Sequence, residues 1–374
     1  QVESCLAGPL AGHGDGSDFG RVEKEAQVMA AAATPGGPVR TVLIGCGGRG
    51  VRAHGTHAVS SDKMRLVAVC DLDDQRRDAA AQELGVDGVK DYHDLLARDD
   101  IQAVIVATNA KYHAPIGLDA IRAGKHVMIE KPLAEDAASA RRLADAADER
   151  GGVGMVGYQF RFSEFGRVLK REAAGVDPIQ ALMTVQRGPM GPQYFFPDHY
   201  GGVVDTATHT IHMALWVMGG EPETVYGSVH RGSVAGDQTI EAMNLMIDYD
   251  GGARTATVVS SMYGMQAANL VQVIGRRGHL SSADRKTLQV VTHGGVRPGR
   301  GNVAGQDSRT VETKGGMDTA TGAMLDHFAD LITGAATEPE GATLREGMYA
   351  VAVTQGMVQA AETGRRVELA SILA

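Results

Sequence analysis

Two short runs carry the side chains best suited to chemistry. In Gly124-Lys125-His126-Val127-Met128-Ile129-Glu130-Lys131-Pro132 an apolar run ends at Glu130, so Lys131 emerges at the carboxyl end of an expected strand. In an open α/β sheet that edge is where ligands bind. A lysine there donates to a substrate hydroxyl and stabilises negative charge developing on its oxygen. The plainer alternative is a surface lysine paired with Glu130. In Gly201-Gly202-Val203-Val204-Asp205-Thr206-Ala207-Thr208-His209-Thr210-Ile211-His212, helical spacing sets Asp205, His209 and His212 at i, i+4 and i+7 on one face. A carboxylate one turn from an imidazole orients it and tunes its pKa, the usual arrangement for a general base near neutral pH. Two other readings stand beside it: Asp205 as a helix cap with His209 a hydrogen-bonded core histidine, or the three residues as metal ligands. No further ligand-rich segment has recognisable spacing, so no metal is expected.

A third run supplies a partner for this chemistry. Val42-Leu43-Ile44 leads into Gly45-Cys46-Gly47-Gly48-Arg49-Gly50, an apolar strand followed by G-x-G-x-x-G. Asp71 follows about 20 residues on, after the apolar run Leu66-Val67-Ala68-Val69-Cys70. Gly45 permits the tight turn, Gly47 lets a pyrophosphate approach the backbone, and Gly50 lets the helix pack close to the strand. The phosphates then meet unpaired N–H groups at a helix N-terminus. Asp71 accepts from a ribose diol and repels a 2′-phosphate, which favours NAD over NADP. Arg76 and Arg77 lie near enough to reach a 2′-phosphate and keep NADP open. The plain alternative is an ordinary glycine turn with Asp71 as a helix cap.

The elements that must position these residues alternate along the first half. Strands are expected at 66–70, 103–107, 126–129 and 153–156, with helices at 74–84, 92–98, 113–123 and 136–150 between them. Such alternation implies right-handed crossovers and a doubly wound parallel sheet. Near Tyr158 the pattern changes. After a helix at 163–174, strand-like runs dominate: 181–186, 224–230, 242–249, 253–261, 270–274 and 288–292. Asp250-Gly251-Gly252 suggests a hairpin between two of them. The stretch 294–316 reads as a loop, and helices at 321–333 and 343–363 close the chain. The expected organisation is an extension over 1–39, poor in periodicity and expected to be disordered, a dinucleotide-binding domain over 40–158, and an α+β domain over 159–374 with a large, open, mostly antiparallel sheet.

With 374 residues, 43% hydrophobic and 22% charged, the chain is long enough for two ordinary globular domains. A formal net charge of −9 argues against nucleic acid and against an anionic membrane surface as main partners. Three scattered cysteines, Cys5, Cys46 and Cys70, form neither a zinc spacing nor a disulfide framework. The short run at 28–33 follows Glu23-Lys24-Glu25 in place of a basic stretch, so no signal peptide is expected. A reducing cytoplasm is the simplest compartment.

From Arg40 onward the chain resembles the glucose–fructose oxidoreductase and inositol dehydrogenase family, often written Gfo/Idh/MocA. The most specific marks are the Gly124-Lys125-His126 … Glu130-Lys131-Pro132 run and the Gly-Gly-x-x-Asp-x-x-x-His run ending at His209, in the expected order after the glycine turn. The resemblance implies a nicotinamide-binding Rossmann domain, an open-sheet α/β domain, and a homodimer or homotetramer built through that sheet. It implies Lys131, Asp205 and His209 as a catalytic set, and a cis Lys131–Pro132 peptide. It adds Thr108, Asn109, His113, Glu130 and Lys131 to Gly45, Cys46, Gly47, Gly48, Arg49, Gly50 and Asp71 as cofactor contacts. The family commonly has Thr-Pro-Asn or Thr-Pro-Asp where Thr108-Asn109-Ala110 stands here, and often Gly at the place of Ala207 and Asp at that of His212. His212 is therefore expected to line the substrate pocket with Gln159, Arg161 and Tyr200, and Tyr194-Phe195-Phe196 to wall a sugar pocket or join an interface. The activity implied is hydride transfer between a secondary alcohol of a sugar or polyol and NAD. An alternative is an NAD-dependent glycoside hydrolase, and a third is a cofactor-binding protein without activity.

Overall fold

The computed structural model describes residues 37–186, 202–232, 239–263, 269–294, 305–314 and 318–374. The first 36 residues of the expected extension, Tyr200 and the aromatic run at 194–196 lie outside them. The first sheet contains β1 (Val39–Ile44), β2 (Met64–Cys70), β3 (Asp87–Val89), β4 (Ala103–Val106), β5 (His126–Ile129) and β6 (Gly154–Val156), in the spatial order β6-β5-β4-β1-β2-β3 and all parallel. β4 and β5 are buried along their whole length, which explains their unbroken apolar sequences. The order reverses between β1 and β4, and that switch point opens a crevice at the carboxyl ends.

The helices of this half stop and start where their sequences dictate. After the glycine turn comes a single π turn (Gly50–Gly55), then α1 (Thr56–Ser60). α2 (Asp74–Leu84) starts on Asp73, whose carboxylate accepts from Arg76 N–H, and ends on Gly85 at φ 66°. α3 (Tyr92–Leu96), α4 (His113–Arg122) and α5 (Ala137–Arg150) complete the half.

α6 (Glu164–Val176) leads into the second sheet. Its strands are β7 (Pro178–Gln186), β8 (Thr224–Arg231), β9 (Ile240–Tyr249), β10 (Arg254–Ser261), β11 (Val271–Gly275), β12 (Gly278–Ser282), β13 (Thr287–Thr292) and β14 (Asp307–Glu312). With the short β16 (Val367–Glu368) they order as β14-β13-β12-β11-β7-β10-β9-β8-β16. Only β7 and β10 pair in parallel. Asp250-Gly251-Gly252 does join antiparallel β9 and β10. β14 lies within the stretch expected to be a loop. One face of this sheet packs on α7 (Gly202–Met218) and α6. The other leaves a row across four strands, Tyr226, Met246, Thr257 and Leu182, with Tyr226 and Ile274 exposed.

Part of the chain beyond the second sheet comes back to cover the first. α8 (Asp318–Thr333) returns to the first sheet, where Met324, Leu325, Phe328 and Ile332 are buried against Val39, Leu43, Val69 and Ile105. β15 (Ala342–Thr343) then adds an antiparallel edge to β6. α9 (Leu344–Thr363) starts on a capping box between Thr343 and Glu346 and packs on both α5 and β8. α10 (Leu369–Leu373) ends the chain. Among the described residues no helix is long and apolar enough to cross a membrane.

Candidate active site

The glycine turn closes where packing requires it and stays open where a ligand would approach. Gly45 has φ 104°, and a Cβ there would lie 2.5 Å from Ala107 O. A Cβ on Gly50 would lie 2.1 Å from Gly45 O. At Gly47 and Gly48 a Cβ meets nothing within 4 Å. The first pair holds the turn against β4. The second leaves bare backbone facing open space, the cradle a pyrophosphate fits.

Asp71, at the end of β2, ties this turn in place. It accepts from Cys46 N–H at 2.9 Å, from Asp73 N–H at 2.9 Å and from the Arg76 guanidinium at 3.0 Å. Burial alone would raise its pKa, but Arg76 and the two backbone donors hold it below the ordinary carboxylate value. It is thus a fixed anion at the end of β2, where a dinucleotide fold expects the carboxylate that meets a ribose diol. Arg77, by contrast, is engaged by Asp74 and Asp78. The Cys46 and Cys70 thiols are buried, which with the Asp71 charge pushes both up to about 12. Cys46 therefore contributes its backbone, and its sulfur is inert.

Glu130 joins the glycine turn to Lys131. This buried carboxylate takes Arg49 Nε at 2.9 Å and His54 Nε2 at 2.7 Å on one oxygen, and Lys131 N–H at 3.0 Å on the other. Burial opposes its charge, yet His54, Arg49 and Lys131 outweigh that and hold it well below the usual carboxylate range. Glu130 acts through its neighbours. No signal in the sequence marks His54; the π turn carries it inward from the glycine turn, and only the fold brings it to Glu130. Thr108 and Asn109 follow β4 across the switch point, half-buried and exposed respectively. His113, expected as a cofactor contact, is buried between Pro132 O at 2.8 Å and Thr108 O at 3.0 Å. It fastens two loops of the crevice together.

The Lys131–Pro132 peptide is cis. Lys131 Nζ reaches Asp205 Oδ1 at 2.8 Å, in the first turn of α7. Two readings of the sequence change here. Lys131 pairs with Asp205 and not with Glu130. Asp205 neither caps α7, which begins at Gly202, nor bonds His209. Helical spacing allowed the Asp205–His209 contact, but a cation from the other sheet competes for the carboxylate and wins. His209 is half-buried, with its Nδ1 buried and without a partner. Burial, then the Lys131 charge, push its pKa down to about 3, not near neutrality as expected. Among the described residues no three His, Cys, Asp or Glu side chains gather as a metal would require.

Beside His209 stand three of the residues expected to meet substrate. The Tyr158 ring presents an edge to His209 at 5.9 Å and stacks on His212 at 3.8 Å. Gln159 and His212 are buried, each with one polar atom lacking a partner. Arg161 is buried too, but it is occupied by His212, Glu346 and Gly341 O, so it does not serve as an open contact. Arg285, held in the left-handed region at φ 56°, reaches Thr210 Oγ1 and packs over the Phe160 ring. Its charge adds to the field at His209. A lone polar turn residue gives no such signal in sequence.

A switch-point crevice with a glycine cradle, an anchored Asp71 and a Lys–Asp pair beside a neutral imidazole defines a dinucleotide-dependent oxidoreductase of two-sheet design. The chain belongs to the Gfo/Idh/MocA oxidoreductase family: residues 39–158 match its NAD-binding Rossmann fold and residues 183–369 its C-terminal alpha/beta domain. It is 29% identical over 274 residues to an inositol 2-dehydrogenase of Rubrobacter xylanophilus, covering 71% of this chain and 74% of that one. It is 26% identical over 267 residues to a myo-inositol 2-dehydrogenase of Thermotoga maritima, covering 68% and 78%. A levoglucosan dehydrogenase solved with NADH and L-sorbose shares the fold with a TM-score of 0.74 at 20% identity, over 90% of this chain and all of that one.

Proposed function

We propose that this protein is an NAD-dependent dehydrogenase acting on a secondary alcohol of a sugar or polyol. The observation that carries the reading is the 2.8 Å pair between Lys131 and Asp205, which joins the two sheets beside a neutral His209. Asp205 fixes the Lys131 ammonium. The ammonium donates to the substrate oxygen and stabilises charge developing there. His209, unprotonated at working pH, accepts the hydroxyl proton. NAD, held by the Gly45–Gly50 turn and Asp71, supplies the hydride acceptor when bound. The half-buried Lys131 and buried Gln159 and His212 supply donors and acceptors suited to a polyhydroxylated, uncharged substrate. The likeness to inositol dehydrogenases supports that class.

The deciding experiment mixes protein and NAD with a panel of polyols, sugars and aryl glycosides. NADH absorbance with at least one polyol or sugar is expected. Phenol release without net NADH would replace this reading with hydrolysis.

We further propose that the protein works in the cytoplasm as a homodimer or homotetramer. The free, buried Cys46 and Cys70 suit a reducing compartment. The open sheet face with exposed Tyr226 and Ile274 suits a second copy. Sedimentation of Tyr226→Glu/Ile274→Glu tests the assembly, and an unchanged mass would exclude this face.

A further inference from the structure

Arg161, His212 and Tyr158 form a buried assembly that takes neither the proton nor the hydride in the proposed chemistry. The Arg161 guanidinium donates through Nε to His212 Nε2 at 2.9 Å. Its other nitrogens pair with Glu346 and donate to Gly341 O at 3.2 Å. Glu346 is itself fixed, since its Oε2 accepts Thr343 N–H at 2.9 Å in the capping box of α9. A guanidinium only donates, so His212 Nε2 carries a lone pair. Burial, then the Arg161 charge, push the pKa of this imidazole well below its ordinary value. The ring is therefore neutral, and its one proton sits on Nδ1. The Tyr158 ring lies on His212 with 3.8 Å between centroids and 7° between planes, and touches His209 edge-on at 82°. His209 and His212 are three residues apart on α7 and share a face.

We propose that Arg161 and Glu346 are positioning residues for the active site: they lock His212 in its Nδ1–H tautomer and, through the Tyr158 ring that touches both imidazoles, hold the plane of His209. The opposite tautomer would point N–H at N–H and leave the buried Arg161 Nε–H without its acceptor, at a cost well above thermal energy. Without Arg161 the imidazole has two tautomers of similar energy, and the stacked rings lose their single arrangement. The kinetic consequence rests on the dehydrogenase reading, whereas the tautomer does not.

Nitrogen NMR of protein carrying ¹⁵N-labelled histidine reads the tautomer directly, with and without NAD. One histidine, absent from the spectrum of His212→Asn, should show a protonated Nδ1 and an unprotonated Nε2. An Nε2–H form, an imidazolium or a mixture at neutral pH would overturn the proposal. In kinetics, Arg161→Met should lower kcat roughly ten- to a hundredfold, the scale of a misplaced reacting group, with NAD affinity changed by less than about twofold. In a His212→Asn background the same change should cost less than about threefold, because asparagine has no tautomer to fix. Equal costs in the two backgrounds would make Arg161 a packing residue and sink the idea. Should Arg161→Met not fold, the wild-type spectrum decides. Absence of alcohol oxidation in the wild type would count against the dehydrogenase reading, and the spectrum would still judge the tautomer.

Discussion

Lys131 and Asp205 are 74 positions apart and meet at 2.8 Å. Their residue types were legible in the sequence, as was His209, because few side chains can hold an oxygen and accept a proton. Their partners were not legible. Spacing along one helix offered Asp205 to His209, and only the docking of two sheets brought in the competing cation. That difference changes the expected pH profile. An imidazole tuned by a carboxylate titrates near neutrality; one buried beside an ammonium is depressed to about 3. The acid limb of kcat/KM should therefore lie well below pH 6.5, and a limb near 6.5 would show that Asp205 turns to His209 in solution. His209→Ala should cost about 10² to 10⁴ in turnover, as loss of a proton acceptor does, with NAD affinity unchanged. Asp71 makes a second prediction at this scale. NAD should bind more tightly than NADP in calorimetric titration, and Asp71→Ala should narrow the gap. Arg76 already spends a hydrogen bond on Asp71, so a tighter complex with NADP would mean that this arginine swings to a phosphate instead.

Among the elements, the four glycines of the first turn separate folding from binding. Gly50→Ala drives a Cβ to 2.1 Å from Gly45 O and should lower the unfolding midpoint clearly, by roughly 1–3 kcal/mol of overpacking. Gly47→Ala meets only open space, so its thermal midpoint should match the wild type while NAD affinity falls about tenfold or more. Equal effects of both variants on stability and affinity would mean the turn is not the phosphate cradle. Most strands of both sheets could be read from apolar runs, because burial on one or both faces writes itself into the residue types. β14 could not: Asp-Ser-Arg-Thr-Val-Glu is an edge strand exposed almost throughout, and Val311 alone does not make an apolar pattern. β12, Gly-His-Leu-Ser-Ser, offered only Leu280 as an apolar residue. Strands of two residues, such as β15 and β16, have no periodicity to read.

For the whole molecule, two domains and their order along the chain were legible, and the path of α8 was not. An amphipathic helix announces that it will be buried, not against which sheet. Because α8 covers Leu43, Val69 and Ile105, residues 40–158 made alone should aggregate, and adding α8 should restore solubility. Acid stability is also a property of the entire fold. Burial pushes His126 down to about 4 and His209 to about 3, and lowers His212 as well. Unfolded, each titrates near 6.5, so below that pH the unfolded chain binds protons that the folded chain refuses. Stability should fall as pH drops from about 6.5 toward 4, by up to roughly 1.4 kcal/mol per pH unit for each histidine. Denaturant midpoints measured across that range check the slope. His126→Asn, which keeps an acceptor for Val153 N–H, should reduce it by one proton.

The return of α8 and β15 to the first sheet also makes this a mechanically unusual pair of halves. The polypeptide passes between them three times: after β6, before α8, and through α9. A single tether would permit a swivel. Three tethers, one of them a twenty-residue rod lying against both halves, leave almost no free rotation. Cofactor exchange must then proceed through rearranging loops at the crevice mouth, with the two sheets keeping their mutual orientation. Small-angle scattering should find the same radius of gyration with and without NAD, and a marked contraction on binding would mean that the tethers bend.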